Sequence, residues 1–194
     1  MPDIVTNEPV VARVPFWFLR HGETDWNRQG LSQGNIDIPL NELGFAQAQS
    51  AAVRLRGRGI TSIVASPLSR ARVTAEIVGE ALGIPVTIEP DLREVSWGVQ
   101  EGKPLDEWFH AWINGHAAPE GAETFDALRL RAVAGLNRAV GQPPAVLVVA
   151  HGGVFRAIRS AMKLEMTGRT RNGVPMWCEP PRAPDGDWTV AVHE

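Results

Sequence analysis

The chain has 194 residues, 44% of them hydrophobic and 21% charged, with 19 basic against 22 acidic side chains and a net charge of -3. That length and apolar fraction suit one globular domain spanning 1–194 with a full core, and with no basic run or tail the electrostatic footprint of a nucleic-acid binder is excluded. No apolar run approaches the roughly 20 residues needed to span a bilayer, so neither nucleic acid nor membrane is an expected partner.

Asp3 and Glu8 precede the first apolar segment, which argues against a signal peptide. A single cysteine, Cys178, fits a reducing compartment. The expectation is a cytoplasmic protein.

In chain order, residues 1–13 read as a loose leader. Phe16–Leu19 is a short buried strand. Residues 22–40 lack periodicity and are rich in Gly, Asn, Gln and Asp, so they read as a loop. Asn41 is an N-cap candidate for a helix whose inward face is Phe45, Ala48, Ala52 and Leu55, stopped by Gly57 and Gly59. Ser62–Ala65 is a second strand. Ser66 and Pro67 carry the signature of an N-cap followed by the first helical position, and Ala71, Ala75, Val78 and Leu82 form the helical face that follows, closed by Gly83.

Val86–Glu89 predicts a third strand. Residues 91–121 are irregular, with a short helix around 106–113, and 95–120 is the candidate for a small cap-like insertion. Thr124 opens a helix with Phe125, Leu128, Leu136 and Val140 inward. Ala145–Ala150 is the clearest strand, and a helix running through Ile158 and Met162 follows His151, Gly152 and Gly153. Met176–Glu179 and Trp188–His193 read as final strands around a Pro-rich turn; with Trp177 they could form a homodimer edge or simply finish the sheet. Strands alternating with helices predict an α/β domain, a mostly parallel sheet covered on both faces.

Polar signals cluster on this scheme. Arg20 and His21 follow the first strand, Arg70 lies near the start of the helix after the second, Glu94 comes just past the third, and His151 with two glycines follows the long strand. Alone, each has a bland explanation: a capped histidine, a solvated helix arginine, a loop carboxylate. Together they bring two cations, two imidazoles and a carboxylate to the C-terminal edge of the strands, where open α/β sheets bind ligands. Two guanidinium forks suit phosphate oxygens. The helices opening after Ser66-Pro67 and after His151 would add N–H donors, with Gly152 allowing close approach. There is no P-loop and no carboxylate set spaced for Mg²⁺, so the protein itself would supply positive charge and a nucleophile. A neutral imidazole nitrogen can be that nucleophile.

The segment Leu19–Thr24, LRHGET, resembles the signature of the histidine phosphatases, the superfamily that includes cofactor-dependent phosphoglycerate mutase. The likeness continues through Asn27, Gly30, Gln33-Gly34, Asp37 and Pro39-Leu40, through Ser66–Ala75 (SPLSRARVTA), Leu92–Gly102 (LREVSWGVQEG) and Ala150–Gly153 (AHGG), and so covers most of 16–160. It implies a three-layer α/β/α sandwich around a mixed, mostly parallel sheet, no cofactor and no metal, and a small phosphorylated metabolite as partner. It further implies His21 as the nucleophile forming a phosphohistidine. Arg20, Arg70 and His151 would surround the phosphoryl group, with Asn27 and the Gly152 N–H as added donors, and Glu94 would act as acid and then base.

The family pattern often has a bulky apolar residue where Gln100 stands and serine where Ala150 stands, and both departures bear on substrate preference. A mutase must hold a second acidic group, yet 95–120 offers only Lys103, His110 and His116 beside Trp97, Trp108, Phe109 and Trp112. The aromatics could shield an organic leaving group or anchor a short helix. The expectation is hydrolysis of small phosphate monoesters, with a phosphoglycerate mutase, a phosphate-binding pseudoenzyme and a phosphoprotein phosphatase as the alternatives.

Overall fold

A computed structural model describes residues 8–166, 168–183 and 185–194. Six strands form one sheet: β1 (Phe16–Arg20), β2 (Ser62–Ala65), β3 (Val86–Ile88), β4 (Val146–Ala150), β5 (Pro175–Glu179) and β6 (Thr189–Val192), in the order β3-β2-β4-β1-β5-β6. The pairs β3·β2, β2·β4 and β4·β1 are parallel, and β5 runs antiparallel to both of its neighbours. β1 and β4 are buried along their whole length. Both are continuous apolar runs, as strands covered on both faces should be.

Alternation along β1 divides the core into two layers. Phe16 and Phe18 point with Val146 and Val148 toward α5 (Phe125–Val140) and α6 (Gly152–Ala161). Trp17 and Leu19 point with Leu147 and Val149 toward α2 (Glu42–Leu55) and α3 (Ser69–Leu82). The expected three-layer α/β/α sandwich is therefore present. Trp177 packs on Trp17, ring centroids 5.2 Å apart, while β6 forms the outer edge of the sheet. No helix among the described residues is long and apolar enough to cross a membrane.

Four local expectations are corrected. Phe45 is not inward but 45% exposed; the buried face of α2 is Gly44, Ala48, Ala51, Ala52 and Leu55, small residues that let it lie close to its neighbours. The loop 22–40 contains a one-turn helix, α1 (Asp25–Gln29), closed by a reciprocal capping box between Thr24 and Asn27. The helix after β2 starts not at Pro67 but at Ser69. There the carboxylate of Asp37 accepts both the Ser69 N–H (2.8 Å) and the Ser69 hydroxyl (2.7 Å), displacing the role expected of Ser66. Of the supposed leader, residues 1–7 lie outside the described residues; beyond them Val11 is buried in the core and the Ala12 N–H donates to Asn137.

The cap-like stretch carries α4 (Glu107–Ile113), with Asp106 as N-cap. Trp112 drives it into the core: it is 1% exposed, sits 4.5 Å from Trp97 and 5.1 Å from Phe125 between ring centroids, and donates its indole N–H to the Glu123 carbonyl.

Gly22 and Gly44 seal the start of α2 against the loop leaving β1. A Cβ on Gly44 would stand 2.1 Å from the Glu23 carbonyl oxygen, a contact the backbone can relieve only by moving. Gly44→Ala is expected to cost about 1–3 kcal/mol, the usual range for overpacking, read as a lower urea midpoint at unchanged slope. An unaltered midpoint would show that the contact is not rigid.

Candidate active site

The parallel register sets Arg20 beside Ala150, so the residues that follow, His21 and His151, leave the sheet next to each other. Their ring centroids lie 5.2 Å apart. The His21 N–H donates to the Ala150 carbonyl and the Ser66 N–H to that of Val149, continuing the ladder one step beyond the strands. A cavity of about 230 Å³ opens at this edge, lined by Arg20, His21, Asn27, Arg70, Glu94 and Gly152 among others. Every candidate site residue read from the sequence is thus brought together. His151 alone stands behind the lining, fully buried, with Nε2 2.7 Å from the Ser66 hydroxyl.

Each group is held by its own partners. His21 Nδ1 lies 2.7 Å from the Gly22 carbonyl oxygen, which can only accept, so in the neutral ring the proton sits on Nδ1 and the lone pair on Nε2. Arg70 is 1% exposed; its two terminal nitrogens donate to the carbonyls of Gly34 (2.7 Å) and Ile36 (2.9 Å), so the loop preceding α2 grips the guanidinium. Arg20 donates to the Thr170 carbonyl at 2.6 Å. The Asn27 carboxamide oxygen accepts from Thr24 and Asn172, which orients the amide NH₂ as a donor. Nε of Arg20, Nε of Arg70 and Nδ1 of His151 are buried without a protein partner among the described residues. Unpaired buried polar atoms are costly, and here three such nitrogens belong to residues around His21.

Glu94 shows how the glycines after His151 are used. Its carboxylate accepts the N–H groups of Gly153 (3.1 Å) and Val154 (3.2 Å) at the start of α6, and that of Val95 (3.0 Å). A Cβ on Gly153 would come within 2.5 Å of the carboxylate, so glycine is needed for this approach. The expectation that both helix N-termini offer their donors to a bound anion is corrected accordingly, except at Gly152, which lines the cavity and whose N–H the Glu94 carboxylate does not take. Asp37 and the Ser66 hydroxyl take N–H groups at the start of α3, and Glu94 takes two in α6.

Several contributors carry no signal in the sequence. Arg131 of α5 donates to the carbonyls of Asp91 and Arg93, each at 2.8 Å, and pairs with Glu123, thereby fixing the turn that carries Glu94. Asn172 donates to the His21 carbonyl at 2.8 Å. Arg156 of α6 and Arg169 also line the cavity, together with the apolar side chains of Trp97, Leu105 and Phe109. Extra cations are expected from sequence only within 95–120; the fold delivers them from α6 and from the segment after it. The aromatic residues of the cap serve two ends, Trp112 anchoring and Phe109 facing the cavity.

Burial, reinforced by the positive charge of Arg70 and Arg20, holds His21 well below the usual imidazole range. Burial followed by Arg70, His21 and Arg20 does the same to His151. Desolvation, then Arg169, pushes Arg20 down to about 10, which still leaves it charged at neutral pH. Folding therefore stores both imidazoles neutral, whereas the unfolded chain protonates them near 6.5. Because the unfolded state binds the extra protons, stability is lost as pH falls below that value, by at most about 1.4 kcal/mol per pH unit for each histidine. The urea midpoint should drop between pH 7 and pH 5, with a smaller drop in His21→Gln. Equal wild-type midpoints at the two pH values would contradict the neutral pair.

Residues 16–175 match the histidine phosphatase superfamily, branch 1. A probable phosphoglycerate mutase GpmB of Yersinia pestis (strain Pestoides F) is 36% identical over 158 residues, covering 75% of this chain and 73% of the relative. Among solved structures, a mycobacterial glucosyl-3-phosphoglycerate phosphatase in complex with VO3 is 30% identical, with a TM-score of 0.80 over 92% of this chain and 98% of that one. TTHB049 from Thermus thermophilus is 32% identical, with a TM-score of 0.70 over 87% and 95%. The mixed six-stranded sheet agrees with the phosphoglycerate mutase-like fold of these neighbours, and the chain belongs to branch 1 of the histidine phosphatase superfamily.

Proposed function

We propose that the protein is a phosphoric monoester hydrolase acting on small phosphorylated molecules through a phosphohistidine at His21. One observation carries this: the bond from Nδ1 to the Gly22 carbonyl leaves the Nε2 lone pair of a neutral, buried ring at a cavity lined by arginines. In the first step Nε2 attacks phosphorus, the P–O bond to the leaving group breaks, and the Glu94 carboxyl gives its proton to the departing oxygen. In the second, the Glu94 carboxylate takes a proton from water, the water oxygen attacks phosphorus, and the N–P bond breaks to release phosphate and neutral His21. One carboxyl serves as acid and then as base.

Throughout, Arg20 and Arg70 face the equatorial oxygens, with the Asn27 amide, the Gly152 N–H and His151 as further donors. Held rigidly in a desolvated site, such donors stabilise developing charge without reorganising. The apolar wall of Trp97, Leu105 and Phe109 shields the leaving group. A relative of the same fold named as a phosphatase supports hydrolysis. Two observations favour a mutase as the second reading: the name of the Yersinia relative and the additional arginines at the cavity. Incubation with 3-phosphoglycerate separates the two, since a phosphatase releases inorganic phosphate and a mutase yields 2-phosphoglycerate.

His21→Ala should lower turnover of p-nitrophenyl phosphate by about 10³-fold or more; full turnover in the variant would sink the mechanism. Activity should persist in excess EDTA, the guanidinium groups supplying the positive charge. Loss of activity in EDTA that Mg²⁺ restores would overturn that part of the scheme.

A further inference from the structure

Two buried imidazoles stand at the end of the β1·β4 ladder, and the scheme above gives only one of them the attack on phosphorus. The Gly22 carbonyl places the proton of His21. His151 has one ring nitrogen against Ser66, while the other, Nδ1, is buried without a protein partner among the described residues. Burial and the charge of Arg70 keep this ring neutral. What it can do therefore depends on which nitrogen carries its single proton.

The bonds of Ser66 determine where that proton sits. Ser66 follows β2 as His151 follows β4, and the parallel pairing of Ala65 with Val149 brings the two together. Both residues are fully buried, so bulk water offers them no partner. Oγ of Ser66 accepts the Leu68 N–H at 3.3 Å, a local turn over Pro67 that ties the hydroxyl to its own backbone. His151 Nε2, at 2.7 Å, is its other partner among the described residues. With the proton on Nε2, the hydroxyl hydrogen would lack an acceptor and the Nδ1 lone pair would lack a donor. With the proton on Nδ1, the hydroxyl donates to Nε2 and only the Nδ1–H is left over. Each orphaned buried group is costly, so one orphan is favoured over two.

We propose that Ser66 is a positioning residue of the reaction: by donating to Nε2 it fixes His151 as the Nδ1–H tautomer, so that the second imidazole serves only as a hydrogen-bond donor to the phosphoryl group. The inference rests on the phosphatase reading above and names what divides the work between the two histidines. Both rings then carry their proton on Nδ1, but they are used in opposite ways. In His21 a carbonyl takes the proton side and leaves the lone pair free. In His151 a hydroxyl takes the lone pair and leaves the proton free. The two ring centroids are 5.2 Å apart, so a phosphoryl group on His21 stands beside that free N–H. A bare Nδ1 there would repel the phosphoryl oxygens. A donor already fixed by Ser66 meets them without reorganising.

The tautomer is read by NMR on the full-length protein, 15N-labelled at histidine, from the couplings between ring protons and ring nitrogens. The pattern missing from His151→Leu belongs to His151. At pH 7 it should show a protonated Nδ1 and a bare Nε2; a protonated Nε2 would overturn the proposal. In Ser66→Ala one ring should lose its single tautomer, and unaltered patterns for all five histidines would count against the proposal even if His151→Leu does not fold. Turnover of p-nitrophenyl phosphate separates positioning from packing. Ser66→Ala should lower kcat about tenfold, and Ser66→Thr, which keeps the hydroxyl, should retain most of it. His151→Leu should lower kcat about 10²-fold, a usual loss for one transition-state donor. Adding Ser66→Ala to His151→Leu should then cost less than about twofold more. A purely structural loss at the start of α3 would recur in full in that background, and such additivity would refute the role. A wild type that releases no phosphate would remove the phosphatase reading and this role with it, whereas the tautomer is read without turnover.

Discussion

The structure depends on one pairing, the parallel ladder between β1 and β4. It is the centre of the sheet and of both core layers, and it is what puts two histidines 130 positions apart in sequence side by side at one edge. A shift of one residue in that register would invert the alternation of Phe16, Trp17 and Phe18 between the two layers. The core therefore protects the site's geometry, since slippage cannot occur without exposing large aromatic side chains.

Burying this much cationic character at the end of the ladder is expensive, and the neighbouring segments show how it is offset. Backbone carbonyls from three separate loops receive the charged side chains: Gly34 and Ile36 for Arg70, Thr170 for Arg20, Asp91 and Arg93 for Arg131. For Arg20 and Arg70 these carbonyls lower the cost of burial without neutralising the charge, so the wall stays positive toward whatever enters, whereas Arg131, behind the wall, is neutralised by Glu123. Carboxylates placed at those points would have stabilised the fold more and bound an anion less.

Much of this is legible in the sequence because its signals are local. β1, β4, Asn41 and Thr124 as caps, and the small-residue face of α3 follow from period, propensity and capping chemistry within a few residues. The candidate site residues stand out because each follows directly from a strand end. What escapes depends on contacts across the fold. Ser66 looks like a cap because its neighbour is proline, yet Asp37, 32 positions before Ser69, holds the first helical residue, and the Ser66 hydroxyl is shared between the Leu68 N–H and His151. Arg156 reads as an ordinary helix residue until α6 is docked, and Arg169 lies in a segment with no regular structure. Spacing alone puts Phe45 inward, while the close approach of Gly44 to Glu23 turns α2 so that small residues face the core.

Glu94 is at once the proposed proton carrier and the group that satisfies the second and third N–H donors of α6, those of Gly153 and Val154. The same helix bears Gly152 and Arg156, so removing the carboxylate disturbs more than proton transfer. Truncation at position 94 would strand the N–H groups of Val95, Gly153 and Val154 and loosen the element that carries Gly152. An amide restores one acceptor but turns an NH₂ donor toward an N–H that the second carboxylate oxygen takes. Either replacement therefore alters the helix end together with the proton, and the loss of turnover at position 94 combines the two.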